Sequence, residues 1–388
     1  MRVTPTLLLP TLATALDPRC TQFPIDVTTN ATNHVYGVSG IDNDIAAVSF
    51  ALDVSRWSTL ALAATAPSPP ELPVSGTFRI HVQLCVPPDG RKREILHLLT
   101  HGLFADKQYW DVQEDPAQYS WVQAALQAGY STLSYDRLGI GLSEKPDAYD
   151  IVQGPLQVEI LRTITEMALN GTLRPSAGSA PAHTARRFTH IVHVGHSYGS
   201  FITSAFIGAY GGLSSAAIVT GYIPNSEGGV YPLAGFGLDY APTNNPELYG
   251  DRTSGYLVPA SVSRLQTLFY HRYSETDPSG FTNALLAYGE GVKQPGTVGE
   301  FLSTSALNLA YAPAFTGPLQ FFEAEFDQVI CDGDCKGTFS AAALAAIYPN
   351  ASSIDVHIQP GAGHALTFHR NATAGFRVSL DWLAGHGL

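Results

Sequence analysis

Short apolar segments alternate with helical patterns along most of this 388-residue chain, and this alternation limits its possible folds more than any other feature. Several of the apolar segments are continuous runs, as expected for strands covered on both faces. The candidate strands are Ile45–Leu52, Thr77–Val86, Ile95–Thr100, Ser131–Tyr135, His190–Val194, Ala216–Tyr222, Leu319–Ala324 and Ile354–Ile358. The helical patterns span Tyr119–Ala128, Leu156–Asn170, Ser200–Tyr210, Phe339–Ile347 and Ala372–Leu383. Strands and helices in this order predict an α/β fold with a mostly parallel sheet and helices on both faces.

The first two candidate strands depart from this alternation, because only a proline-rich stretch separates them. A parallel pair of strands needs a long crossover connection, which this stretch does not supply. We therefore expect the sheet to begin with an antiparallel pair.

A second departure is the segment 224–316, which follows the sixth strand and is rich in glycine, proline and aromatic residues. It contains helical fragments such as Ser261–Tyr273 but shows no regular alternation of strand and helix. A segment of about 90 residues is too long for an ordinary loop. We predict a lid over the carboxyl ends of the strands, where open α/β sheets bind ligands. The alternative is an excursion of the scaffold that does not contact the site.

Composition and charge narrow the class of partner. The chain is 45% hydrophobic and 14% charged, which suits a large buried core and not a disordered chain. Its formal net charge of -12 argues against nucleic acid and against an anionic membrane surface. No apolar run reaches the roughly 18–20 residues of a membrane span. A small-molecule partner is the expectation that remains.

The N-terminus has the pattern of a secretory signal peptide. Arg2 precedes the apolar stretch 7–12, and Ala13–Ala15 supplies a small-x-small cleavage site. We therefore expect residues 1–15 to be removed and residues 16–388 to form the secreted domain. The alternative is an apolar N-terminal strand.

Cysteines and glycosylation sequons also favour an oxidising, extracellular compartment. The four cysteines are even in number, and we favour the pairs Cys20–Cys85 and Cys331–Cys335, although spacing alone leaves the other pairings open. Four Asn-x-Ser/Thr sequons lie in polar or turn-like contexts, at Asn30, Asn170, Asn350 and Asn371.

The segment Gly195–Gly199 reads Gly-His-Ser-Tyr-Gly and directly follows an apolar strand. A Gly-x-Ser-x-Gly pattern in this setting is typical of a nucleophile elbow, a sharp turn that presents the serine. The flanking glycines are needed because backbone and the next helix crowd the turn. Ser197 is therefore the candidate nucleophile, provided that the chain also supplies a base, an acid and an oxyanion hole.

A candidate base and a candidate acid follow in the order expected for such an enzyme. His364 lies in the glycine-rich loop 361–365, between the last strand and the last helix. Asp327 lies just beyond the seventh strand, where its carboxylate could hold the imidazole in the correct tautomer. Glu325 is the closest alternative acid, whereas Asp332 and Asp334 are expected to face solvent.

Two backbone N–H groups are the candidate oxyanion donors. The strand at Ile95–Thr100 ends in a His-Gly turn, which lets the N–H of Leu103 point into the site. The second donor is the N–H of Tyr198, the residue after the candidate nucleophile. The segment 136–143, which reads Asp-Arg-Leu-Gly-Ile-Gly-Leu-Ser, is interpreted as a structural turn beneath the active-site loops.

With these motifs in this order, residues 90 to 385 resemble the α/β-hydrolase superfamily, specifically its His-Gly-x branch. The resemblance implies an eight-stranded, mostly parallel sheet, acyl chemistry without a cofactor, and a variable cap after strand six. The branches of the superfamily with epoxide hydrolase or dehalogenase chemistry carry aspartate at the elbow. This chain has serine there, so the resemblance argues against those two reactions. The chain also lacks the His-Gly-Gly-Gly run of hormone-sensitive-lipase-type esterases. Its signal segment, sequons and low charge are typical of a secreted fungal esterase or lipase.

A metal site is the weaker interpretation of the histidines. His190, His193 and His196 are spaced by three, so they cannot share one face of a strand whose period is two. His97 and His101 could share a face, but no third ligand is evident.

The leading hypothesis is a secreted serine hydrolase that acts on a carboxylic ester or lactone without a cofactor. A second hypothesis keeps the triad but directs it to acyl transfer, lyase or cyclisation chemistry on a natural product. A third is a non-catalytic binding module on the same fold.

Overall fold

The computed structural model describes residues 20–56, 68–88, 90–176, 186–224, 234–307 and 311–388, and one large sheet organises them. In chain order the strands are β1 (Cys20–His34), β2 (Glu71–Cys85), β3 (Ile95–Thr100), β4 (Ser131–Tyr135), β5 (His190–His196), β6 (Ala216–Thr220), β7 (Leu238–Tyr240), β8 (Tyr256–Pro259), β9 (Gly296–Thr297), β10 (Pro318–Ala324) and β11 (Ser353–Gln359). The large sheet has eight strands in the order β1-β2-β4-β3-β5-β6-β10-β11. Its pairs from β4 to β11 are parallel, and β2 is antiparallel to both β1 and β4. The predicted α/β fold with a mostly parallel sheet is confirmed.

Helices cover both faces of this sheet. The α-helices in the described residues are α1 (Asp44–Val54), α2 (Pro116–Tyr119), α3 (Trp121–Gln127), α4 (Gly154–Asn170), α5 (Tyr198–Tyr210), α6 (Ala241–Asn244), α7 (Pro246–Tyr249), α8 (Val262–Phe269), α9 (Asn283–Val292), α10 (Val298–Ser303), α11 (Ala341–Ile347) and α12 (Ala372–Gly385). Those that cover the sheet are α4, α5 and α11 on one face and α2, α3 and α12 on the other. Successive side chains of a strand point to opposite faces. In β6, accordingly, Ala217 and Val219 join a core with α4 and α5, while Ala216 and Ile218 join a core with α3 and α12.

The antiparallel start of the sheet is confirmed, but its first strand is not the one expected. β1 pairs with β2 along its whole length, from Cys20 opposite Cys85 to His34 opposite Glu71. The disulfide Cys20–Cys85 closes one end of this ribbon, and a second disulfide joins Cys331 to Cys335. Both disulfides are the pairings that the sequence favours.

The segment Ile45–Leu52, expected as a strand, is instead part of the helix α1. The Asn43 side chain caps this helix by accepting a hydrogen bond from the Ala46 N–H at 3.0 Å. Its buried residues Ala47, Phe50 and Ala51 recur with helical spacing. Three apolar residues lie on the outer side, where Ile45, Val48 and Leu52 are 82%, 41% and 51% exposed. The expectation failed because it treated a run that is apolar on both sides of a helix as a buried strand.

The described part of the segment 224–316 contains a small antiparallel sheet of β7, β8 and β9, with the helices α6 to α10. Its backbone bonds to three loops that follow strands of the large sheet. The Gln294 N–H donates to the Phe104 carbonyl at 3.1 Å, the Gly299 N–H donates to the Ala148 carbonyl at 2.8 Å, and the Ala365 N–H donates to the Phe269 carbonyl at 2.8 Å. Because Phe104, Ala148 and Ala365 follow β3, β4 and β11, the segment lies against the carboxyl ends of the strands. Its role as a lid remains a prediction.

The expected signal segment, residues 1–15, lies outside the described residues. None of the helices in the described ranges combines the length and apolar character needed to cross a bilayer. Nor do the described side chains of His, Cys, Asp and Glu form a group of three or more that could hold a metal ion.

Candidate active site

Ser197 lies at the turn between β5 and α5, with the backbone conformation of a nucleophile elbow. Its φ is 52° and its ψ is -121°, a region that non-glycine residues rarely adopt. Such strain persists only where the surroundings enforce it, and it is concentrated at functional sites. The Ser197 N–H donates to the Thr220 carbonyl at 2.8 Å, which ties the turn to the end of β6.

Close backbone contacts explain the glycines on both sides of this turn. A Cβ placed on Gly199 would lie 2.2 Å from the Thr100 carbonyl oxygen, and one on Gly195 would lie 2.6 Å from the Gly199 carbonyl oxygen. Both distances are far below van der Waals contact, and both partners are backbone atoms that cannot move aside. The elbow therefore requires glycine at both positions.

His364 and Asp327 form a buried pair at the same edge of the sheet. The His364 Nδ1 lies 2.6 Å from the Asp327 Oδ2, and both side chains are fully buried. The other carboxylate oxygen, Asp327 Oδ1, accepts the N–H groups of Val329 at 2.8 Å and Ile330 at 3.1 Å. These two bonds fix the carboxylate, so Oδ2 must face the imidazole.

The free nitrogen of His364 is placed beside the elbow. Nε2 is buried and has no hydrogen-bond partner among the described residues. The imidazole packs 4.8 Å from the ring of His196, the residue before Ser197. It also packs so close to Gly221, the residue after Thr220, that a Cβ there would lie 2.8 Å from His364 Cε1. No hydrogen bond joins Nε2 to Ser197 in the structure, so the imidazole packs against the elbow without making the serine–base contact, which in many enzymes tightens only when substrate binds.

Asp327 and its closest alternative, Glu325, lie in different environments. Asp327 contacts His364, whereas Glu325 forms an ion pair with Lys336 and accepts the Gly361 N–H at 2.9 Å. The hydrogen bond from Lys336 lowers the pKa of Glu325. Asp332 and Asp334 are exposed, as the sequence predicts.

A third carboxylate, Glu323, is fully buried near the His364–Asp327 pair. The sequence did not single it out. Its Oε2 accepts the Tyr222 N–H at 3.0 Å, which secures the backbone beside Gly221. Burial, followed by the negative charge of Asp327, raises the pKa of Glu323 well above its usual value of 4.5.

The candidate oxyanion donors converge on the same serine. A Cβ on Gly102 would lie 2.8 Å from the Ser197 Cβ, so the His-Gly turn lies directly against the elbow. The N–H of Leu103 makes no hydrogen bond to backbone within the described ranges. The N–H of Tyr198 opens the helix α5, where the first N–H groups have no intrahelical acceptor. Neither N–H therefore has a backbone acceptor in the described ranges, as the predicted role of oxyanion donor requires.

A cavity adjoins these groups and extends under the segment 224–316. Its volume is about 20 Å³, the space of about one water molecule, so the lining side chains nearly fill it. Its wall contains Leu103, His196 and Ala365, of which the last two flank Ser197 and His364 in the chain. Half of the remaining lining residues are aromatic, namely Phe104, Tyr109, Phe269, Tyr270 and Phe368, and the wall also contains the carboxylate of Asp106.

Two of the histidines considered as metal ligands have hydrogen-bond partners in the protein, whereas His97 has none on either ring nitrogen and packs against Tyr130. His193 is hydrogen-bonded on both ring nitrogens, to Thr165 at 3.0 Å and to Ser214 at 2.8 Å. His196 bonds Thr220 Oγ1 at 2.9 Å through Nδ1 and stacks on Tyr109 with ring centroids 4.2 Å apart. Burial lowers the pKa of both imidazoles, to about 3 for His193.

The four sequon asparagines differ in how free their side chains are. Asn30 and Asn170 are exposed. The side-chain nitrogen of Asn350 donates to the Pro313 carbonyl at 2.8 Å, and that of Asn371 donates to the Pro360 carbonyl at 2.7 Å. Because a glycan attaches through this nitrogen, the first two positions are the more open to modification.

Comparison with solved structures shows the same fold in proteins of different activity. A thermophilic esterase from Thermogutta terrifontis, solved with malate bound, matches with a TM-score of 0.51 and 14% identity, over 80% of this chain and 95% of that chain. Epoxide hydrolase A from Mycobacterium thermoresistibile matches with a TM-score of 0.51 and 14% identity, over 79% and 95%. A bromoperoxidase from Bacillus anthracis matches with a TM-score of 0.50 and 16% identity, over 80% and 96%. At these identities the likeness establishes the fold alone, since one fold hosts many reactions.

No protein of curated function matches the sequence. The model of the family described as "Alpha/beta hydrolase family" matches residues 98–376, which include the elbow, the Asp327–His364 pair and the His-Gly turn. This match covers more than half of the chain. It therefore assigns the family, which similarity of fold alone does not. The protein belongs to the alpha/beta hydrolase family.

Proposed function

We propose that this protein is a serine hydrolase that cleaves a carboxylic ester or a lactone, with Ser197, His364 and Asp327 as its catalytic triad. The observation that supports the proposal is the buried His364–Asp327 pair. The Nε2 of His364 has no partner, and the imidazole packs against the turn that holds Ser197 at positive φ. His364 differs from the other buried histidines in combining a free nitrogen with a carboxylate partner: His193 is bonded on both ring nitrogens, and His97 on neither.

In the proposed mechanism, Ser197 Oγ attacks the carbonyl carbon while His364 Nε2 takes the hydroxyl proton. Asp327 holds the imidazole with its proton on Nδ1 and stabilises the imidazolium that forms. The N–H groups of Leu103 and Tyr198 bind the oxyanion of the tetrahedral intermediate. His364 then protonates the leaving alcohol, and water hydrolyses the acyl-enzyme by the reverse sequence of proton transfers.

We further propose that the segment 224–316 is a lid that shapes the substrate pocket. Phe269, from its helix α8, lies 5.5 Å from the His364 ring and contributes to the cavity wall. The aromatic wall suits an apolar or aromatic acyl or alcohol group.

We also propose that the protein is secreted and glycosylated, which the signal-like N-terminus, the two disulfides and the exposed sequons at Asn30 and Asn170 support.

A fluorophosphonate probe tests the mechanism directly. We expect stoichiometric labelling of the native protein and none of Ser197→Ala, while Ser263→Ala, which removes an exposed serine on α8, labels normally. A native protein that takes no label would contradict the mechanism. Ester turnover in the presence of an alcohol acceptor then separates hydrolysis from acyl transfer, because transfer yields a new ester.

A further inference from the structure

Arg137 is a fully buried cation that the proposed mechanism does not use. It follows β4 and forms an ion pair with Glu300, which is also fully buried. Burying a charged pair is costly unless its hydrogen bonds are well satisfied, so such a pair needs a structural or functional reason.

The guanidinium is bonded to the backbone of the His-Gly turn. Its Nε donates to the His101 carbonyl at 3.1 Å, and its Nη2 donates to the Gly102 carbonyl at 3.2 Å. The backbone N–H of Arg137 donates to His101 Nε2 at 3.1 Å, so the imidazole carries its proton on Nδ1. That Nδ1 lies 2.8 Å from the Gly102 carbonyl oxygen, which therefore accepts two hydrogen bonds.

The Gly102 carbonyl belongs to the same peptide group as the Leu103 N–H. In a trans peptide the C=O and N–H point in opposite directions, so fixing the oxygen fixes the direction of the N–H. A cationic donor on the oxygen also polarises the peptide and strengthens its N–H as a donor. The guanidinium carbon lies 4.9 Å from the ring centre of Tyr198, whose N–H is the second oxyanion donor.

We propose that Arg137 is the positioning residue of the oxyanion hole, which it aims by holding the Gly102 carbonyl and the Tyr198 ring. Glu300, on the helix α10 of the segment 224–316, holds the guanidinium in place and also accepts the Gln157 side-chain amide at 2.7 Å. The placement of that segment is therefore coupled to the aim of the oxyanion donors. This inference rests on the proposed serine hydrolase function.

The test is Arg137→Lys, which keeps the charge but cannot reach both carbonyls and Glu300 at once. Loss of a whole oxyanion donor costs about 10²–10³ in kcat, so a misaligned donor should lower kcat by about 10–100-fold. We expect KM to change by less than about threefold, because ground-state binding does not use the oxyanion hole. The affinity for a boronic acid, whose tetrahedral adduct occupies the hole, should fall by the same factor as kcat/KM.

Two further variants separate this role from a purely structural one. Arg252→Lys alters another buried arginine, which pairs with Asp251 away from the His-Gly turn, and should leave kcat unchanged. If Arg137→Lys does not fold, Glu300→Gln replaces it and should lower kcat and boronic acid affinity together.

The melting temperature shows whether Arg137→Lys folds. Unchanged kcat and boronic acid affinity in Arg137→Lys, or in Glu300→Gln where the lysine variant does not fold, would overturn the inference. So would a loss that appears only in KM. A native protein that reacts with neither the fluorophosphonate nor the boronic acid would instead refute the proposed hydrolase function itself.

Discussion

Replacing Asp327 with asparagine should inactivate the protein without unfolding it. The Oδ1 of Asp327 accepts two backbone N–H groups, from Val329 and Ile330, so the oxygen of the new amide must stay on that side. The amide nitrogen then faces His364 Nδ1 and donates to it. This arrangement keeps every hydrogen bond of the site, but it moves the imidazole proton to Nε2, where a base must have none.

The size of the effect follows from the cost of the alternative orientation. To restore the active tautomer, the amide would have to flip and leave two buried N–H groups without an acceptor, at about 1–3 kcal/mol each. The active tautomer is then disfavoured by about 2–6 kcal/mol, a factor between about 30 and 10⁴. The upper end agrees with the roughly 10⁴-fold loss found when a triad aspartate is replaced in this way. We expect kcat/KM to fall by about 10³–10⁴ for Asp327→Asn.

Hydrolysis of p-nitrophenyl acetate measures this loss, and thermal unfolding shows whether the fold is retained. The matched control is Glu325→Gln, which removes a carboxylate two residues away. Because its partner Lys336 is 68% exposed, that ion pair contributes little to stability, and activity should remain near the native value. An Asp327→Asn variant within tenfold of native activity, or a Glu325→Gln variant that loses it, would refute the reasoning.

Two further predictions concern stability. The pKa of Glu323 is raised above 4.5 by burial, so the folded protein holds a proton that the unfolded chain releases, and native stability falls as the pH rises above about 4.5. Glu323→Gln removes this pH dependence. The melting temperature of the variant minus that of the native protein should therefore increase from about pH 5 to pH 8. A difference that stays constant over this range would contradict a neutral Glu323. The second prediction concerns the disulfides Cys20–Cys85 and Cys331–Cys335, which span 65 and 4 positions. Replacing each pair with alanines should lower the free energy of unfolding, measured in urea, by about 4 and about 2 kcal/mol respectively. Equal losses would contradict the chain-entropy account.

The sequence predicts the parallel part of the fold well because its strands are buried on both faces. β3 and β4 begin and end at the residues that the sequence predicts, and every residue of both strands is buried. β1 was missed because it contains Pro24, which a strand tolerates at a sheet edge, and because its second half, from Thr28 to His34, is almost entirely polar. α1 was misassigned because its outer side carries Ile45, Val48 and Leu52, so the apolar period that distinguishes a helix is weak.

The candidate site follows the same division. Ser197, Asp327 and His364 could be chosen in advance because each occupies a loop after a recognisable strand. The contacts of Arg137 could not, since its partner Glu300 lies in a segment whose sequence shows no regular pattern. The Asp-Arg pair after β4 was the one available signal, and it was interpreted only as part of a structural turn.

The positions of the site residues along the chain also determine when the candidate site can be completed during synthesis. Ser197 is synthesised before Asp327 and His364, and because domains fold as units, the sheet is completed only when β10 and β11 are available to pair. His364 follows β11, the last strand at one edge, which pairs with β10. A nascent chain therefore carries a serine with no base until that final strand docks. The first appearance of esterase activity during translation would mark the closure of this edge of the sheet.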